Sequence, residues 1–240
     1  MKIVEKIAKK ANDIYGAELP VIAFLGDSVT HGCFEVAMKD PQTCEPVFDQ
    51  DCGYNFYVTE IFKTLFPQVP ICMINAGISG GNATNGASRL ERDVLRFQPD
   101  LTVVCFGLND SAGGLEKLEE YKESLRIIFH KLKESGSEVI YMTPNMMNSY
   151  VSYKITDPDL IKTAEVTGYL QNEGIFKTFL DEGKKVANEC GVTICDVYRK
   201  WEVLQKNGVD TTALLSNHIN HPTRKMNWLF AYSLVETMMQ

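Results

Sequence analysis

Five short apolar runs set the frame of this chain: "PVIAFLG" (20–26), "PICMINAG" (70–77), "LTVVCFG" (101–107), "EVIYMTP" (138–144) and "VTICDVY" (192–198). Each is nearly continuous in apolar residues rather than alternating, the pattern of a strand covered on both faces. Between them lie stretches of helical period at 54–66, 83–97, 116–135 and about 172–190, and a last one at about 224–238 closes the chain. Strand and helix in alternation predict a parallel sheet with right-handed crossovers and helices on both faces, a three-layer α/β/α sandwich. In such an open sheet the ligand site lies outside the carboxyl ends of the strands, near a switch in strand order. The residues at those ends are therefore the first place to look for chemistry.

At 240 residues the chain is long enough to bury a sizeable core, and it reads as one domain over 1–240. A net charge of −7 gives no electrostatic footprint for nucleic acid or an anionic membrane. No apolar run approaches the roughly 18 residues of a membrane span. At the N-terminus Ile3, Val4, Ile7, Ala8, Ala11 and Ile14 recur at helical spacing among charges, which predicts an amphipathic helix, not a signal peptide, and a cytoplasmic location. The seven cysteines are odd in number, and Cys72, Cys105 and Cys195 sit inside strand-like runs as small hydrophobes. Cys33, Cys44 and Cys52 share one loop-like stretch without a CxxC pair, so reduced thiols are expected and neither a metal nor an organic cofactor is called for. Oligomeric state is not legible.

Two longer segments interrupt the rhythm, 33–53 and 145–171. Both follow a strand end and are rich in turn formers, which predicts loops lying over the carboxyl edge and shaping a pocket. The Met and aromatic residues of "YMTPNMMNSYVSY" read equally as pocket lining or as core.

Three strand ends carry polar residues that catalysis uses: Gly26-Asp27-Ser28, then Gly77-Ile78-Ser79-Gly80-Gly81-Asn82, then Gly107-Leu108-Asn109-Asp110. Far down the chain "SNHINHPT" supplies His218 and His221. Acyl transfer needs this set: a hydroxyl nucleophile, an imidazole to take and return its proton, and two or three donors for the tetrahedral oxyanion. The donors read from the sequence are the Ser28 and Gly80 backbone N–H groups and the Asn109 side-chain amide. Taken alone, Ser28 reads as a turn or helix-capping serine; its distant partners change that.

"FLGDSVTHG", the Gly in "NAGISGGNA", "FGLND" and "NHPT" resemble, in order, the four blocks of the SGNH hydrolases, also called GDSL-type esterases and lipases. The resemblance covers about residues 20 to 225. It implies a flavodoxin-like sandwich of about five parallel strands, Ser28 as nucleophile, Gly80 and Asn109 in the oxyanion hole, His221 as general base, and Asp27 as a structural carboxylate of the turn. It implies a small-molecule ester substrate and no cofactor. The function expected is a serine esterase acting on short-chain acyl esters, such as O-acetyl groups on carbohydrates. The alternatives are a lysophospholipase or thioesterase of the same family, and a non-catalytic module that binds a small ligand.

One position departs from the family pattern, which places an Asp three residues before the catalytic His; here that residue is His218. The group that orients His221 is left open among a backbone carbonyl, Asn217, His218 in an indirect role, and a carboxylate such as Asp196 or Asp210. An orienting carboxylate is worth up to about 10⁴ in turnover, so modest rates are expected without one. A rival nucleophile is Ser79, within the G-x-S-x-G of residues 77–81, which matches the elbow of the α/β-hydrolases; too few strands precede it and no HGGG-type run lies upstream. His31 reads as a pocket-lining or structural residue and His130 as a surface or packing one. The Gly-rich "GISGGNATNG" lacks the Lys-[Ser/Thr] of a phosphate loop, and the sequon at Asn82 is discounted.

Overall fold

The computed structural model describes residues 1–40 and 43–240. In chain order the strands are β1 (Val21–Gly26), β2 (Cys33–Asp40), β3 (Thr43–Phe48), β4 (Cys72–Gly77), β5 (Leu101–Cys105), β6 (Glu138–Thr143) and β7 (Thr193–Asp196). The helices are α1 (Lys2–Asn12), α2 (Ser28–His31), α3 (Tyr54–Leu65), α4 (Ala83–Asp93), α5 (Leu118–Glu134), α6 (Pro158–Asn172), α7 (Ile175–Glu189), α8 (Val197–Lys206) and α9 (Asn227–Met239).

All five apolar runs form strands of one parallel sheet in the order β4-β1-β5-β6-β7. That is the flavodoxin-like order, with its switch point beside β1. The alternation of a strand's side chains explains why continuous apolar runs were needed. Ile22 and Phe24 of β1 join a core with Ile3 and Ile7 of α1, Val58 and Phe62 of α3, Trp201 of α8 and Phe230 of α9. Ala23 and Leu25 point the other way, to Leu90 of α4, Leu125 and Phe129 of α5 and Phe179 of α7. Each face of the sheet thus buries its own apolar layer, and the three-layer sandwich follows.

The interrupting segments are more ordered than turn formers alone imply. Within 33–53, β2 and β3 pair as an antiparallel hairpin outside the main sheet; Pro41 and Gln42 of that segment lie outside the described residues. Within 145–171, residues from Pro158 form α6, started by Asp157, whose carboxylate accepts from Asp159 N and Leu160 N, and by proline in the first turn. The Asp-Pro pair that reads as a turn is a helix start. Similarly, the run read as a strand to 198 ends at Asp196, which caps α8 through Arg199 N. Met146 and Met147 are buried in the core, so the Met residues fill the interior.

Candidate active site

β1 ends on Gly26, and the chain turns at once into α2. Asp27 caps that single helical turn, its Oδ1 accepting from Val29 N at 2.9 Å, and Gly32 in the left-handed region stops it at φ 90°. α2 lies directly against the end of β4: a Cβ on Gly77 would collide with the backbone of Thr30 and His31. From below, Thr30 is held by Tyr54, whose hydroxyl lies 2.8 Å from its Oγ1. Ser28 is therefore presented on a clamped turn at the switch point of the sheet.

The partner comes from 193 residues away. His221 Nε2 lies 2.9 Å from Ser28 Oγ, and both residues are only 5% exposed. The other ring nitrogen, Nδ1, lies 2.9 Å from the carbonyl oxygen of Phe34 on β2. A carbonyl only accepts, so this bond places the proton on Nδ1 and leaves Nε2 to accept from the serine hydroxyl. Burial holds the His221 pKa below its ordinary 6.5, while the bond to Phe34 and the charge of Glu35 pull it back up. The imidazole is therefore a neutral base at neutral pH.

The other orienting candidates are placed elsewhere. Asn217 Oδ1 accepts from the backbone N–H groups of Ile219, Asn220 and His221 at 2.9–3.0 Å; it shapes the histidine's loop without touching the ring. His218, in the left-handed region at φ 56°, has its Nδ1 3.5 Å from the Thr212 carbonyl. Asp196 accepts from Thr143 Oγ1, Lys184 Nζ and Arg199 N, and Asp210 from Tyr150 Oη and Ala213 N. Of the groups left open by the sequence, a backbone carbonyl takes Nδ1, in place of Asn217, His218 or Asp196.

The loop after β4 brings Gly80 to the same edge. Gly80 has φ +78°, and a Cβ built there would meet nothing within 4 Å, so the glycine is needed for its backbone conformation and not for space. The loop is anchored by His31, whose Nδ1 accepts from Ser79 N at 3.3 Å while its ring packs on Phe48 of β3. Ser79 is thus tied through its backbone, and the hydroxyl that meets an imidazole is that of Ser28. Asn109 Nδ2 donates to Gly81 O at 2.8 Å, one of the two N–H groups its amide carries. Beside Asn109, the buried Asp110 accepts from Ala83 N and Gly107 N, both at 2.9 Å, which locks the start of α4 to the end of β5. Behind the edge, the buried Arg89 donates to Ala76 O at 2.6 Å and Gly26 O at 2.9 Å, closing the ends of β4 and β1. Between the loop and Asn85, Ser88 and Arg92 of α4 opens a cavity of about 370 Å³.

Two buried carboxylates flank this edge. Burial pushes Asp27 up to about 7 and Asp110 up to about 6. Among the described residues Asp27 Oδ2 has no hydrogen-bond partner, whereas both oxygens of Asp110 accept backbone N–H groups.

The profile of the GDSL-like lipase/acylhydrolase family matches residues 24–229. The chain belongs to that family. An acetylxylan esterase from Geobacillus stearothermophilus is 27% identical over 132 residues, which are 51% of this chain and 58% of that enzyme. The crystal structure of an acetylxylan esterase from the same organism superposes over 91% of this chain and 94% of its own, with a TM-score of 0.67 and 22% identity. An α/β hydrolase enzyme from the metagenome of Lake Arreo, Spain, covers 92% and 95% with a TM-score of 0.64 and 19% identity. These structural likenesses are likenesses of fold. Structures of the Geobacillus esterase with a serine, an aspartate or a histidine replaced by alanine are described as catalytic mutants, the aspartate standing three positions before the histidine. In this GDSL-like protein the sequence signals for Ser28, Gly80, Asn109 and His221 meet at one edge, whereas Phe34 and Arg89 carried none. A backbone acceptor has no side-chain signature, and an arginine inside an amphipathic helix reads as surface.

Proposed function

We propose that this chain is a serine esterase that hydrolyses short-chain acyl esters, with O-acetyl groups on carbohydrates as the substrate class. The observation that carries the reading is the buried Ser28 Oγ to His221 Nε2 hydrogen bond of 2.9 Å at the sheet's switch point. In the proposed reaction Ser28 Oγ attacks the ester carbonyl as its proton passes to His221 Nε2. The negative charge on the carbonyl oxygen is met by the N–H groups of Ser28 and Gly80 and by the Asn109 N–H not used on Gly81. The tetrahedral species collapses, the C–O bond to the alcohol breaks, and His221 returns the proton to the departing oxygen. Water, deprotonated by the same nitrogen, then attacks the acyl-enzyme, and the acid leaves as Ser28 recovers its proton.

The acetyl preference is supported by the acetylxylan esterase relative. The cavity lined by Asn85, Ser88 and Arg92 adjoins Gly80 and offers polar partners to a hydroxylated alcohol. Family profile coverage of 24–229 supports one catalytic domain. No helix among the described residues is long and apolar enough to cross a membrane.

The test compares wild type and Ser28→Ala on p-nitrophenyl esters of increasing acyl length and on acetylated xylooligosaccharides. Turnover of the acetyl ester by wild type, reduced at least about 10⁴-fold in the alanine variant, supports the reading. Equal rates in both proteins, or no turnover by wild type, overturn it in favour of a binding module.

A further inference from the structure

We propose that Arg224 and Glu35 are positioning residues for His221, locking the Phe34 carbonyl onto Nδ1 in the place an orienting carboxylate would take. The inference rests on the esterase reading above. A lone carbonyl is a poor substitute for a carboxylate unless it is held still, and here it is held from several sides. Arg224 stands three residues after His221, and Glu35 is the residue after Phe34. The guanidinium donates to both oxygens of Glu35, at 2.7 and 3.1 Å, and through Nε to Asp49 Oδ2 at 2.7 Å. Its carbon also lies 4.4 Å from the centroid of the Phe34 ring. A two-pronged arginine–carboxylate pair fixes orientation as well as distance.

The Phe34 carbonyl is further gripped by Ser216, whose Oγ donates to it at 2.8 Å. Ser216 N in turn donates to the His221 carbonyl at 2.8 Å. The histidine's segment and the start of the β2–β3 hairpin are thus joined by the ring nitrogen, by a hydroxyl and by an ion pair. Charge completes the arrangement: one guanidinium between two carboxylates leaves the cluster net negative. Glu35 of β2 is the charged side chain whose field reaches the His221 ring. Arg224 lies on the histidine's own segment and Asp49 follows β3. From α2 the ring meets Ser28, while the Asp27 carboxylate caps the turn through Val29 N and His31 is turned to the loop after β4. A net negative cluster stabilises the imidazolium that forms during attack, the task usually given to a triad carboxylate.

The test uses the whole chain with Arg224→Lys and Glu35→Gln. Both positions are partly exposed, at 35% and 42% of the side chain, so folding is expected to survive, and thermal unfolding verifies it. Lysine keeps the charge but cannot make the two-pronged contact, so kcat on p-nitrophenyl acetate is expected to fall about tenfold to a hundredfold with KM nearly unchanged. In Glu35→Gln the lost negative field is expected to move the acid limb of kcat/KM to lower pH. Mere loosening of the hairpin would instead hydrate the ring and move that limb upward, toward 6.5. Unchanged kcat in both variants, or an upward limb, overturns the proposal. Proton NMR of the His221 Nδ1–H in substrate-free protein gives a readout independent of activity. A resonance sharp in wild type and broadened in Arg224→Lys supports the clamp, and one equally sharp in both overturns it, even if wild type proves inactive and the esterase reading fails alone.

Discussion

His221 donates from Nδ1 to the carbonyl of Phe34 at 2.9 Å while its Nε2 faces Ser28 Oγ at the same distance. The imidazole is therefore oriented by a dipole and not by an anion in direct contact. A dipole fixes the tautomer as well as a carboxylate does, but it stabilises the imidazolium less. Burial disfavours the charged ring and holds the His221 pKa below its ordinary 6.5, and the bond to Phe34 offsets this only in part. The base must be neutral to accept the serine proton. The acid limb of kcat/KM on p-nitrophenyl acetate is expected below pH 6.5, and a limb at or above 7 would contradict the buried, carbonyl-bonded ring.

In the proposed reaction Asn109 separates orientation from catalysis within one amide. One N–H is spent on Gly81 O, so the second is held in a fixed direction before substrate arrives. Donors that need no reorganisation at the moment of reaction are the valuable ones. Asn109→Ala is expected to lower kcat about 10²–10³-fold with a small change in KM, measured by steady-state kinetics on the same ester. A change confined to KM would place Asn109 in binding and not in the oxyanion hole.

His218 occupies the position where a triad aspartate would stand, yet it turns away. Its backbone sits in the left-handed region and its ring lies beside the Thr212 carbonyl. His218→Asn, a residue that tolerates that backbone, is expected to leave kcat/KM within about threefold of wild type, since an uncoupled loop substitution is usually worth less than about 0.5 kcal/mol. A loss beyond tenfold would give His218 a role in the reaction that its placement denies.

What the sequence made legible follows from how each feature is encoded. Strands such as β1 and β5 are buried on both faces, so their apolar runs stand out, and three of the four family blocks stand out with them because each follows a strand of the sheet; the fourth, at His221, lies in the loop before α9 and is legible only from its own residues. The β2–β3 hairpin was not legible because it packs outside the sheet and its residues are mostly half-buried or exposed, which leaves no apolar period. α8 was hidden because Asp196 closes a strand and caps a helix in the same residue. The departure at His218 was visible in the sequence, but its resolution was not, since any residue of the chain could have supplied the carbonyl found at Phe34.

Asp27 links the turn that presents Ser28 to the stability of the whole molecule. It is buried, one oxygen caps α2, and the other has no partner among the described residues. Burial raises its pKa from 3.8 to about 7, so the folded protein binds a proton that the unfolded chain gives up near pH 4. A raised carboxyl pKa contributes stability below the unfolded value and loses it as pH climbs through the folded one. Across pH 4 to 7 wild type is expected to lose about 4 kcal/mol through this group. Asn at position 27 keeps the cap on Val29 N and cannot ionise. Its amide N–H groups add a cost of about 1–3 kcal/mol where Oδ2 stood unpartnered, and that cost does not vary with pH. Urea unfolding of wild type and Asp27→Asn at pH 4.5, 6 and 8 should therefore show the variant less stable at the acid end, with the gap closing or reversing by pH 8. A gap that stays constant across those three values would mean that Asp27 ionises in the fold as freely as in the open chain.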